Sequence, residues 1–83
     1  MSKQEKLTEK LLNLQTAMTW RELVTLLQRF GYRQIQGSGS RVKFDNGNPL
    51  ATINLHKPHP SNELKAYVKR LVAEHLKKWG MIQ

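Results

Sequence analysis

The spacing of apolar residues changes at Gly31, and this change constrains the fold more than any other feature of the 83-residue chain. Upstream, Trp20, Leu23, Val24, Leu27 and Phe30 fall on one face of a 3.6-residue period. Downstream the period is two: Val42 and Phe44, then Ala51, Ile53 and Leu55, alternate with polar neighbours. Thr19-Trp20-Arg21-Glu22 opens the helix with a capping box: Thr19 accepts from the backbone N–H three residues on, and Glu22 reaches back to the cap. Gly31 supplies the left-handed stop. A helix running into short strands, in a chain too short for two ordinary domains, points to an α+β architecture.

The alternation predicts strands over residues 32–36, 40–45 and 50–55. Gly37-Ser38-Gly39 and Asn46-Gly47-Asn48-Pro49 are turns tight enough to make an antiparallel meander. Lys57-Pro58-His59-Pro60 is a stiff loop, because two prolines remove ladder donors. Ser61 or Asn62 caps a last helix that runs to about Trp79, with Leu64, Val68, Leu71, Val72, His75 or Leu76, and Trp79 inward, and Gly80 ends it. Residues 3–15 read as a short helix with a thin stripe of Leu7, Leu11 and Leu14, added to the body. The order is α-α-β-β-β-α, a two-layer sandwich with one sheet face covered by helices and the other free.

With no Cys, disulfides, thiolate zinc sites and thiol nucleophiles are excluded, and a reducing, cytoplasmic setting is expected. No apolar run approaches the ~20 residues of a membrane span, and Met1-Ser2-Lys3-Gln4-Glu5-Lys6 leads into no signal-peptide core. Lys and Arg total 14 against 6 Asp and Glu, a formal charge of +8. The excess is spread along the chain: five basic and three acidic residues in 1–31, four and one in 32–60, five and two in 61–83. Charge built into the fold suits a polyanion, most often nucleic acid. Plain solubility is the other reading.

Three features could carry chemistry. In Gly37-Ser38-Gly39-Ser40-Arg41-Val42-Lys43, a glycine-rich turn exposes backbone N–H groups beside two hydroxyls, and Arg41 and Lys43 share a strand face. It reads as a phosphate cradle or as a polar hairpin. His56 and His59 flank Lys57 and Pro58 in the loop. They could work as general acid and base on a phosphodiester, bind a metal, or be exposed side chains of a rigid loop. Carboxylates are too few for a convincing metal set, and none is expected. On the last helix Lys65 and Lys69 lie one turn apart and could extend a backbone-binding track, the alternative being a solvated face. Trp20, Phe30, Phe44 and Trp79 fall at core spacing, as does His75, which leaves Tyr32 and Tyr67 as stacking candidates. No Ser-His-Asp triad or carboxylate pair can be argued.

Together these segments resemble the HicA toxin family of HicA–HicB type II toxin–antitoxin modules. The matching pieces are Trp20-Arg21-Glu22-Leu23-Val24 with Leu27 and Phe30-Gly31-Tyr32; Gly39-Ser40-Arg41-Val42-Lys43-Phe44; Leu55-His56-Lys57-Pro58-His59-Pro60; Glu63-Leu64-Lys65; and Leu76-Lys77-Lys78-Trp79-Gly80. The resemblance implies an α-β-β-β-α core like a double-stranded-RNA-binding domain over residues 18–83, with residues 1–17 as a helical extension. It implies a metal-independent mRNA interferase without cofactor, and a HicB-type antitoxin that masks the active face. Many members carry Gly-Ser-His at the hairpin, with that His as the proposed catalytic residue, whereas here Arg41 follows Gly39-Ser40. Catalysis is then expected on His59 with His56 assisting, or is lost, and the chain's own hairpin, loop and helix residues Ser38, Ser40, Arg41, Lys43, Lys57, Lys65 and Lys69 are the expected RNA contacts. A non-catalytic RNA-binding module on the same fold, and a domain for an acidic protein partner, are the alternatives.

Overall fold

A computed structural model describes residues 2–82. Its elements are α1 (Lys3–Leu12), α2 (Trp20–Arg29), β1 (Arg33–Gln36), β2 (Arg41–Asp45), a 3-10 turn (Pro49–Ala51), β3 (Ile53–His56) and α3 (Ala66–Lys78). The capping box at the start of α2 forms as its sequence requires. Glu22 N–H donates to Thr19 Oγ1 at 3.2 Å, and Thr19 N–H donates to Glu22 Oε1 at 3.0 Å. Lys10 of α1 adds an ion pair to the same carboxylate at 2.6 Å. These contacts hold the Glu22 carboxyl below its usual pKa, the Lys10 bond contributing most.

The strands make one antiparallel sheet in the order β1-β2-β3. Val42 opposes Leu55 and Phe44 opposes Ile53, so the apolar residues of both strands share one face. That face meets Leu23, Leu26 and Leu27 of α2 and Val72, Ala73 and Leu76 of α3, with Met18, Tyr32 and Leu64 completing the buried set. Trp20 leans on Phe44 with ring centroids 5.8 Å apart. Helix α1 buries Leu7 and Leu11 on the same core. The α-α-β-β-β-α order and the α+β, double-stranded-RNA-binding-domain-like sandwich expected from the sequence are present.

Several boundaries differ, each for a local reason. The third strand begins at Ile53, because Asn48 caps a 3-10 turn at Leu50 N–H (3.0 Å) and Pro49 starts it. The Ala51 carbonyl then accepts from Tyr32 Oη and from His75 Nε2, both at 2.8 Å. A carbonyl only accepts, so this bond places the His75 proton on Nε2. His75 is a packing residue, as its spacing suggested. Tyr32 is buried, which raises its phenol pKa and removes it from any stacking surface. Helix α3 starts at Ala66, later than Ser61 or Asn62 would give. Residues 62–64 are tied instead to the strand-like segment before α2: Trp20 N–H donates to Asn62 O (2.7 Å) and Leu64 N–H to Met18 O (2.8 Å). Helix α1 stops at Leu12, leaving Leu14 exposed. Leu71 also faces outward, and Trp79, at the C-terminal end of α3, is only half-buried.

Candidate nucleic-acid interface

The pleat that sends Val42 and Phe44 inward sends Arg41 and Lys43 outward. Register decides what joins them. Arg41 lies opposite His56, and Lys43 lies between Asn54 of β3 and Ile35 of β1. Arg33 opposes Asp45 at the far end, where the two form a loose ion pair at 3.7 Å. The helix-free face therefore presents Arg33, Arg41, Lys43 and His56, all exposed, with Asp45 as its acid. Among the described residues no Phe, Tyr or Trp stands in this face, so it suits phosphates better than extended base stacking.

The hairpin between β1 and β2 is built by its glycines. Gly37 N–H donates to Arg41 O at 2.9 Å, and Arg41 N–H returns a bond to Ser38 O at 3.2 Å. A Cβ on Gly37 would stand 3.2 Å from both the Arg41 Cβ and its carbonyl oxygen, and Gly39 sits at φ +63°, where side chains are disfavoured. Ser40 at the end of the turn meets the last residue of β3 and the residue that follows it. Its carbonyl accepts from Lys57 N–H at 2.8 Å, and its Oγ lies 3.2 Å from His56 Nδ1.

The structure brings most of the sequence-derived candidates together. Ser38, Arg41, Lys43 and His56 line one groove. Ser40, Lys57 and His59 line the next, and His56, His59, Lys65 and Tyr67 border a third beside α3. His59 is exposed and lies seven positions before α3, so it does not sit at a helix N-terminus as the Ser61 or Asn62 cap would have had it. Among the described residues no three His, Asp or Glu side chains converge as a metal set would, and no helix is long and apolar enough to cross a membrane.

Lys69 does not join this surface. It is 2% exposed, and its Nζ donates to Asn13 O at 2.6 Å and Thr16 O at 2.5 Å. Burial, with Lys10 nearby, lowers its pKa, and Glu63 opposes the shift. It reads the carbonyls after α1, and a phosphate cannot reach it. Its spacing from Lys65 gave a helix turn but not which side of α3 is covered. Conversely, Arg33, Ile35 and Asn54 belong to the open face and follow only from strand register. The Ser40–His56 contact, sixteen residues apart in the chain, had no signal in the sequence.

A family model described as the HicA toxin of bacterial toxin–antitoxin systems matches residues 20–81. The match runs from α2 to just beyond α3 and leaves α1 outside. No curated protein and no solved structure matches the chain.

Proposed function

The chain belongs to the HicA toxin family of bacterial toxin–antitoxin systems, and from that premise we propose that it is a metal-independent mRNA interferase, neutralised by a HicB-type antitoxin. The observation that carries this reading is the meeting of Arg41 and His56 as cross-strand partners on an open basic face, with His59 in the adjoining loop. One histidine takes the proton of an RNA 2′-hydroxyl, and that oxygen attacks the adjacent phosphorus. The P–O5′ bond breaks, and the other histidine returns a proton to O5′. The products are a 2′,3′-cyclic phosphate and a 5′-hydroxyl. Arg41 stays protonated and is no base, but its guanidinium and the Lys43 ammonium oppose the charge that builds on the phosphoryl oxygens. Ser38, Ser40, Lys57 and Lys65 border the same grooves and bind flanking backbone.

A non-catalytic RNA-binding module is the second reading. What favours it is Arg41, a permanent cation at the hairpin position where the sequence resemblance leads one to expect a histidine. Purified protein incubated with RNA in excess EDTA separates the two. Cleavage leaving cyclic phosphate ends supports the nuclease, whereas salt-sensitive binding without cleavage supports the module. Expression should arrest growth, and co-expression of the antitoxin from the neighbouring reading frame should restore it. Unimpaired growth at confirmed soluble expression counts against a toxin.

A further inference from the structure

We propose that Ser40 is the positioning residue for His56, and that it makes Nε2 the nitrogen through which His56 exchanges its proton with RNA. The inference rests on the nuclease reading above and goes beyond it by assigning an atom and its support.

Ser40 is fixed by its neighbours. Its carbonyl is held by Lys57 N–H, and the following Arg41 backbone is held on both sides by Gly37 and Ser38. Only the hydroxyl can turn, and it lies 3.2 Å from His56 Nδ1. His56 is the last residue of β3, so its ring stands on the open face beside Arg41 rather than in the loop. With Nδ1 engaged by Ser40, Nε2 is the ring atom left to face a substrate. When His56 is neutral with its proton on Nδ1, that N–H donates to Ser40 Oγ and the Nε2 lone pair is free. When Nε2 takes the 2′-hydroxyl proton, the imidazolium keeps the same Nδ1–H bond to Ser40. The contact thus survives the transfer without either group moving, which is what a positioned base requires. His59, in the loop, makes no comparable bond among the described residues, so the two histidines are not equivalent.

The test compares Ser40→Ala with Ser40→Thr, which keeps the hydroxyl, in single-turnover cleavage, RNA binding, and nitrogen NMR of the His56 ring. Ser40→Ala should slow cleavage by about tenfold or more, a part of the about 10²–10⁴ carried by a positioned base. These rates are compared at saturating RNA, where Ser40→Thr should recover most of the rate, and the Nδ1–H tautomer should be present with either hydroxyl and lost with Ala. The inference is overturned if Ser40→Ala cuts at the parental rate while His56→Ala is inactive, if Thr fails to rescue, or if His56 carries its proton on Nε2 in the parent. A parent protein that binds RNA and never cuts it removes the nuclease reading itself, and the inference with it.

Discussion

Lys43 and Lys69 are the same residue type in opposite circumstances. Lys43 stands in the middle of the open sheet face, between Asn54 and Ile35, with its ammonium in water. Lys69 is enclosed between α3 and the segment after α1, where two backbone carbonyls replace its hydration. The first charge is available to a polyanion. The second has been taken out of water to hold a helical addition, and its lowered pKa reflects that burial. Net charge alone therefore overstates the basic surface, and what matters is where each cation's solvation comes from.

The contrast predicts that changes on the open face alter function while changes at the α1–α3 seam alter stability. The largest effect belongs to the histidines. His56→Ala should lower RNA cleavage by about 10²–10⁴ with little change in melting temperature. His59→Ala should also reduce cleavage, and full activity in that variant would leave only His56 in the mechanism.

The sharpest test on the other side is Lys69→Met. It keeps the aliphatic stem but removes the donor to Asn13 and Thr16, and should cost about 1–3 kcal/mol in denaturant unfolding. RNA affinity of the folded fraction should not move. The variant should also change the alkaline limb of the stability curve. Because the folded pKa of Lys69 lies below its ordinary value, the unfolded chain binds that proton more tightly, and stability from this group rises as pH climbs between the two values. Lys69→Met should lack that rise. A loss of RNA binding in Lys69→Met at unchanged stability would break the contrast.

Arg41→Ala and Lys43→Ala should each weaken RNA binding and flatten the log–log salt dependence by about 0.7, one single-strand phosphate contact apiece. Stability should be nearly unaffected, since both side chains are exposed. An unchanged slope in both would remove this face from the RNA interface.

The smallest effect is at Glu22. Glu22→Gln keeps an amide that can still reach the cap but loses the charge facing Lys10, and should cost about 0.5–1 kcal/mol near neutral pH. Its carboxyl is held below the ordinary value, so the charge's contribution is present above the unfolded pKa and fades as pH falls through the folded one. Parent and variant should converge in acid.

Much of this was legible in the sequence because it is local. The capping box needs only Thr19 and Glu22, and the inward set Val42, Phe44, Ile53 and Leu55 follows from a period of two. Gly31 ends α2 at φ +91° for want of a Cβ. The Arg41–Lys43 face was also readable, since alternation fixes which side chains share a side of one strand; His59 lies in the proline loop as read, but His56, read as its loop partner, closes β3 instead. Boundaries failed where a distant bond intervened. Met18 and Trp20 draw residues 62–64 into extended backbone and delay α3, although Ser61 and Asn62 are good caps.

What the sequence by itself determined, then, is the order of elements and the apolar side of each, because backbone sterics and hydrophobic burial repeat every two or 3.6 residues. The tertiary structure alone decided which partners meet across elements. It set Arg41 against His56, gave His56 its contact with Ser40, and turned Lys69 from a surface cation into a buried clamp on α1. The reason is physical: strand register and helix docking depend on the whole core closing at once, and no short stretch of chain records the outcome.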